Sequence, residues 1–402
     1  MMPTIITVLL AFGVLAVVAE LAARVWIRRR TRYRVWSPGT RLEVRQDPGV
    51  FPEVEPRVRI DINSDGERGS EAGSGDGLYR ILVAGGSSVE CYALDQPTSW
   101  PGALERLLNR PEALQTLGAH RVHVGNIARS GIGAPELDRI FERILPNYAQ
   151  LDAIVIMVGA STMYHWLEDG APPRPPSIVP DVALFAHDPA RPFGWTPRAT
   201  ALAELVRRLR QAWLHPVEVK SNAGSWLVAG RKMRATASEI RTSVPEPTAV
   251  LKQFEDHFRS ALRRAMKRAG QVLVVRQPWF EKAYTPEESA RFWHGGIGKP
   301  WKETVTTYFS LDVINRLLSL IDARVVAVAE ELGVRHLNLR PTLNQGLRHF
   351  YDHDHFTPEG AACAAQAIAA ALTRRDQSVA TPGTTETFAR RVTQPRIPLA
   401  TR

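Results

Sequence analysis

Tyr79-Arg80-Ile81-Leu82-Val83-Ala84-Gly85-Gly86-Ser87-Ser88 begins as a short apolar run and ends on two glycines and a pair of serines. An apolar run without alternation reads as a strand buried on both faces, as in a parallel sheet covered by helices. The two glycines let the chain turn sharply at the strand end, which presents Ser87 beside the next element. Moving outward, Trp100 to Leu108 reads as a helix with Leu104, Leu107 and Leu108 on one face, and Val122 to Asn126 as a second strand. An amphipathic helix through Leu137, Ile140, Phe141, Ile144 and Leu145 begins after Pro135, and Ala153 to Val158 is a third strand, apolar throughout. The order is βαβαβ, a unit of a parallel sheet.

Regularity weakens from about residue 161 to 270, which reads as a large helical insertion. It contains a proline-rich segment, a helix carrying Leu202, Leu205, Val206, Leu209 and Trp213, and another carrying Leu251, Phe254, Phe258 and Leu262. Parallel order resumes with a strand at Gln271 to Arg276, a long helix through Val313, Leu317, Ile321, Val325 and Val328, and a last strand at Val334 to Leu339. A closing helix runs from Pro358 to about Leu372, with Thr357 as its N-cap and Pro358 in the first helical position.

The ends of the chain are of a different kind. Pro3 to Ala23 is apolar apart from Thr4, Thr7 and Glu20, which meets the roughly 20 residues a helix needs to cross a bilayer. No Lys or Arg precedes the run and no Ala-x-Ala pair ends it, so an uncleaved anchor is expected rather than a signal peptide. Residues 1–34 then form a transmembrane anchor with a basic flank, and Glu20 can pair with Arg24 one turn on. Residues 35–78, rich in Pro, Gly and charge, are expected to be an extended membrane-proximal segment, and residues 374–402 a disordered tail. The net charge of +10 resides at these ends, in Arg24, Arg28, Arg29, Arg30, Arg32 and Arg34 and in the arginines of the tail. The remaining body is neutral, which argues against a nucleic-acid partner and for charges that flank a membrane. Charge bias alone puts that body in the cytoplasm. With two cysteines, Cys91 and Cys363, neither a disulfide framework nor a thiolate zinc site is expected.

In open α/β sheets, sites form where strands end. Gly85-Gly86-Ser87 follows the first strand, and is not a Gly-x-Ser-x-Gly elbow because Val89 holds the last position. Tyr351-Asp352-His353-Asp354-His355-Phe356-Thr357-Pro358-Glu359-Gly360 follows the last strand. A nucleophilic serine needs a base, and the base needs a carboxylate to fix its tautomer. Asp352 and His355 supply both from one turn ahead of a capped helix; His353 and Asp354 are a competing pair. A metal reading of Asp-His-Asp-His lacks a further cluster to complete its shell, so no metal and no cofactor are expected. Seven tryptophans, Trp166, Trp195, Trp213, Trp226, Trp279, Trp293 and Trp301, lie between the third strand and the long helix. Core packing of the insertion is the plainer account of them, and a sugar-stacking cleft the sharper one. The glycine-rich loop Phe292 to Lys299 could border the site and lacks phosphate-loop spacing.

These blocks resemble the SGNH (GDSL-like) hydrolase family. Gly85-Gly86-Ser87 is similar to its first block, Asn126-Ile127-Ala128-Arg129-Ser130-Gly131 to its second, Val158-Gly159-Ala160-Ser161 falls where the third reads Gly-x-Asn-Asp, and Asp352-x-x-His355 is similar to its last. Asn63-Ser64-Asp65-Gly66-Glu67-Arg68-Gly69 resembles the lead-in of membrane-anchored bacterial members. The resemblance implies an α/β fold, a flavodoxin-like parallel sheet sandwiched by helices, over residues 79–373. It implies Ser87 as nucleophile, His355 as base and Asp352 as its orienting acid. It also implies an oxyanion hole from the amides of Ser87 and Ala128 and from position 161, where Ser161 replaces the family's asparagine. The expected activity is membrane-anchored hydrolysis of an acyl ester, acetyl foremost, of a glycan or lipid-linked substrate. Two alternatives stay open: an O-acyltransferase acting on a polysaccharide, and a non-catalytic glycan-binding or assembly protein with a degenerate oxyanion hole. The expected location is the bacterial inner membrane, single-pass, with the family's glycan substrates pointing to the outer side against the charge bias.

Overall fold

A computed structural model describes residues 2–73, 75–190 and 200–374 of the chain. It opens with α1 (Met2–Arg30), in which an 18-residue window of the stretch Ile5–Arg30 has a mean hydropathy of 2.6 and is exposed, while Ala23 and Ile27 nearer its end are buried. Two strands follow, β1 (Arg41–Gln46) and β2 (Arg57–Asp61), and then β3 (Leu78–Gly85), α2 (Ser87–Glu90), α3 (Trp100–Leu108), α4 (Pro111–Leu117) and β4 (Arg121–Asn126). Next come α5 (Ala134–Ile144), β5 (Leu151–Met157), α6 (Ala160–Glu168), α7 (Asp181–Leu184), α8 (Ala201–Leu214), β6 (Val217–Ala223), α9 (Ser225–Ala235) and β7 (Glu239–Arg241). The chain continues through α10 (Thr248–Met266), β8 (Ala269–Arg276), α11 (Pro286–Ala290), β9 (Thr307–Phe309), α12 (Leu311–Glu331), β10 (Arg335–Asn338) and α13 (Pro358–Thr373).

The central sheet has the order β10-β8-β5-β3-β4 and every neighbouring pair is parallel. Counted along the chain that is the flavodoxin-like order 2-1-3-4-5, whose switch point lies between β3 and β5. Period-2 alternation splits each strand between two cores. Leu82, Ala84, Ile154, Ile156, Val272 and Val274 face α5, α10 and α12 through Phe141, Phe254, Phe258 and Leu317. Ile81, Val83, Val155, Met157, Leu273 and Val275 face α3 and α13 through Leu104, Ala364, Ala365 and Ile368. The run of small residues on α13 lets that helix lie close to the sheet.

Residues 35–78 depart from the extended segment expected of them. Leu42, Val44, Val58 and Ile60 alternate inward, so β1 and β2 pair antiparallel, and β1 pairs in parallel with β6. The chain then runs along the β4 edge of the central sheet, where Arg68 bridges to Asn126 and Glu67 lies fully buried. Glu67 accepts from Asn63 Nδ2 (3.0 Å), His123 Nε2 (2.9 Å), Arg80 (3.0 Å) and the Tyr148 hydroxyl (2.5 Å). Gly125 makes the space: a Cβ there would lie 2.3 Å from the Glu67 carboxyl. The insertion is also narrower than residues 161–270, because α10 packs against α5 and α12 as the crossover helix from β5 to β8. Tryptophan packing divides. Trp166 and Trp279 are buried, whereas Trp213 on α8 is 82% exposed, so a place on an amphipathic helix does not put it in the core. Arg374 is the last described residue, and the remainder of the expected disordered tail lies outside the described residues.

Candidate active site

Three strand ends meet at the switch point. After β3, Gly85 lies so close to β5 that a Cβ would sit 1.9 Å from the Met157 carbonyl oxygen. Gly86 is the N-cap of α2, and Ser87 is its first residue, partly exposed at the cleft. One position on, the Ser88 hydroxyl donates to the Asp354 carbonyl (3.0 Å) and accepts from Gln277 Nε2 (2.9 Å). These bonds tie α2 to the end of β8 and to the loop ahead of α13. That loop is held at its far end by the Thr357 cap on the Gly360 amide (3.2 Å).

Within this frame Ser87 Oγ lies 2.7 Å from His355 Nε2. His355 Nδ1 donates to Asp352, 2.9 Å from each carboxylate oxygen. Asp352 is 1% exposed and accepts three further hydrogen bonds, from Trp293 Nε1 (3.0 Å) and from the backbone amides of Asp354 (3.2 Å) and His355 (3.0 Å). Burial works against its charge, but His355 and the Trp293 donor outweigh burial and hold the carboxyl well below its usual range. Burial likewise opposes a charged imidazole at His355, yet the adjacent Asp352 and Asp354 carboxylates prevail and lift it to about 9.

The competing pair sits elsewhere. His353 points away from the serine, with Nε2 donating to Asn315 Oδ1 (2.9 Å) and Nδ1 accepting from the Tyr164 hydroxyl (3.3 Å). Burial pushes it down to about 3, so it is a neutral packing residue. Asp354 is buried behind the triad; its Oδ1 lies 3.5 Å from His355 Nδ1 and meets no hydrogen-bond donor among the described residues, while the Tyr164 hydroxyl bonds its carboxyl. Burial raises it to about 7.

One of the expected oxyanion donors, the Ala128 amide, already has a partner within the fold. The Ala128 amide donates to its neighbour's side chain, Asn126 Oδ1, at 2.8 Å, while Asn126 Nδ2 reaches the Val89 carbonyl (2.8 Å). Asn126 thus closes an Asx turn at the end of β4 and staples it to α2, which directs the Ala128 amide into the fold. Ser161 stands at the second position of α6, with its hydroxyl 3.5 Å from where a Cβ on Gly86 would be. It therefore borders the nucleophile turn, as does the N-terminus of its helix.

Trp293, His294, Tyr164 and Tyr351 complete the wall. His294 stacks on Tyr164 (centroids 4.1 Å apart) and lies 5.8 Å from the His355 ring, and Tyr351 stacks on the other side of His355 at 5.5 Å. The His294, Asp352 and Asp354 ligand atoms fall within 4.8 Å of one another, but both oxygens of Asp352 are already shared by His355 and backbone or indole donors. The glycine-rich composition of the loop 292–299 is the signal that placed it near the site; nothing in the spacing indicated that the Trp293 indole would bond Asp352, 59 residues away.

No family model matches the sequence, and no curated protein matches it. Among solved structures the chain is similar to Axe2, an acetylxylan esterase from Geobacillus stearothermophilus, at 13% identity and a TM-score of 0.39, over 76% of this chain and 98% of that one. It is also similar to Est24, a carbohydrate acetylesterase from Sinorhizobium meliloti, at 13% identity and a TM-score of 0.37, over 73% of this chain and 98% of that one.

Proposed function

We propose that the chain is a serine ester hydrolase of the SGNH type, anchored in a membrane by α1, which removes an acyl group, acetyl foremost, from a glycan or lipid-linked substrate. The observation that carries the reading is the unbroken relay from Ser87 Oγ through His355 to Asp352, at 2.7 and 2.9 Å. Ser87 Oγ attacks the ester carbonyl carbon while neutral His355 Nε2 takes its proton. The tetrahedral intermediate collapses when His355 returns that proton to the departing alcohol, leaving Ser87 acylated. Water, deprotonated by His355, then releases the acid and restores the serine. Asp352 stabilises the imidazolium formed in each half, and Trp293 keeps Asp352 turned toward it. Negative charge on the carbonyl oxygen is met by the Ser87 amide, which as the first amide of α2 has no partner within the helix, and by Ser161.

Ser87→Ala should leave the fold intact and abolish turnover of a short acyl ester; turnover equal to the parent protein sinks the serine mechanism. The engagement of the Ala128 amide favours a second reading, a non-catalytic binding protein on the same scaffold. A fluorophosphonate probe separates the two, because it labels Ser87 only where the serine is activated. An acyltransferase shares the first half-reaction, and differs in passing the acyl group to an acceptor hydroxyl, detectable by mass spectrometry of the acceptor glycan.

A further inference from the structure

Helix α8 has a use that the site does not account for. Leu202, Val206, Leu209 and Trp213 recur at offsets of four, seven and eleven residues, which places them in one stripe along the helix. Among the described residues nothing covers that stripe: Val206 is 64%, Leu209 59% and Trp213 82% exposed. Its neighbouring stripe, Ala201 and Leu205, packs on Ala23 and Ile27 of α1. The exposed stripe is therefore continuous with the surface of α1, where Val25 and Trp26 are also exposed.

The two helices are fastened at a defined level. The Glu20 carboxylate in α1 accepts from the first amides of α8, Ala201 N (2.7 Å) and Leu202 N (3.0 Å), and from Arg24 Nε (2.7 Å). An acidic residue in an apolar helix is costly unless partnered, and these donors are its partners. Glu20 lies ten residues, about 15 Å of helix, before Arg30, so α8 begins beside the apolar part of α1 and ends beside its basic end. The opposite side of α8 carries Arg207 and Arg208. With Arg30, Arg32, Arg34 and His187 these line a pocket of about 380 Å³ at the end of α1. Glu204, bonded to Arg207 and Arg208, Glu71, which also lines the pocket, and Asp65, paired with Arg34, offset only part of the charge of these five arginines.

We infer that α8 is a second membrane-contacting helix: running alongside α1, it carries Leu202 and Val206 at the acyl level near Glu20 and Leu209 and Trp213 into the headgroup–acyl boundary, where the arginine pocket behind it faces anionic lipid headgroups. An apolar stripe with an aromatic residue, backed by arginines, is the composition of helices that lie in that boundary. The inference rests on the reading of α1 as a membrane span. It fixes the body against the bilayer by a second contact, where a lone spanning helix would leave it free to swing.

The test uses the full chain in vesicles of phosphatidylcholine with phosphatidylglycerol. A polarity-sensitive fluorophore is placed at Leu209→Cys or, as a control for the anchor, at Val14→Cys, each in a Cys363→Ser background where Cys91 is buried. The expected result is a blue-shifted emission at both positions with several-fold quenching by acyl-chain-labelled lipid, and weaker quenching at position 209 when phosphatidylglycerol is omitted. A quenched probe at position 14 with a water-exposed probe at position 209 overturns α8 as a membrane-contacting helix and leaves the anchor standing. Water exposure at both positions overturns the anchor and the inference with it. Val206→Lys combined with Trp213→Lys should return the position 209 probe to water without moving the position 14 probe; quenching unchanged at position 209 overturns the assignment of that face.

Discussion

Asp354→Asn should make the enzyme faster at neutral pH. The carboxylate behind the triad lies 3.5 Å from His355 Nδ1. It is buried, pushed up to about 7 by that burial, and so is ionised over the range where His355, raised to about 9, gives up its proton. A unit charge at that distance is worth about 1 kcal/mol even at the dielectric of water and about 5 kcal/mol at an effective dielectric near 20. The smaller figure corresponds to about one pKa unit. Asn keeps the shape and removes the charge, which should bring His355 from about 9 to about 8 or below. Because the base must be neutral to accept the Ser87 proton, and Asp354 is itself about half protonated at pH 7, the active fraction rises about twofold at pH 7 and about threefold near pH 8. The assay is kcat/KM for a short acyl ester against pH, corrected for spontaneous hydrolysis. The expected outcome is an acidic limb displaced downward and a gain of about two- to threefold between pH 7 and pH 8. A limb that stays near 9, or a loss of activity like that of an Asp352 variant, refutes the assignment of Asp354 as the charge that holds His355 protonated.

Other outcomes follow from the same geometry. His355→Ala should lose at least about a thousandfold in kcat, and His353→Ala should keep most of its kcat/KM per folded molecule, because His353 bonds Asn315 and Tyr164 instead of the serine; steady-state kinetics of the two variants compare them. Trp293→Phe keeps the aromatic packing and removes the donor to Asp352, for an expected loss of about tenfold in kcat with KM little changed. Glu67 is lowered from 4.5 to about 2: burial opposes its charge, but His123, Arg80 and Tyr148 outweigh it. Its contribution is therefore present above pH 4.5 and lost as pH falls from there through 2, about 3 kcal/mol in all. Urea unfolding of Glu67→Gln across that range should show a flatter pH dependence than the parent protein.

The parts of this molecule that depend on near neighbours were readable in the sequence. Tyr79 to Ala84 and Ala153 to Val158 announce buried strands by composition alone, and Thr357-Pro358 announces the start of α13, since each signal lies within a few residues. The strands of residues 35–78 were obscured because β1 takes its parallel partner from β6, well over a hundred residues later, and no local pattern carries that pairing. Glu67 and Gly125 fit each other across the sheet for the same reason. The fate of the Ala128 amide shows a different gap. The block Asn126-x-Ala128 is legible, but whether its amide points into the cleft or back to Asn126 Oδ1 depends on one side-chain rotamer. Trp213 is a case where periodicity placed a residue on a face without saying what covers that face.

The central claim is that Ser87 is a nucleophile activated by His355, and a trapped acyl-enzyme tests it most directly. The full chain is mixed with an activated acetyl ester, quenched in acid within the first turnover, and its peptides are weighed. The account predicts one acetyl group on the peptide containing Ser87, formed faster as pH rises toward 9 and absent in His355→Ala. Hydrolysis of the ester with no acetyl group on that peptide, or acetylation equally fast in His355→Ala, would contradict it.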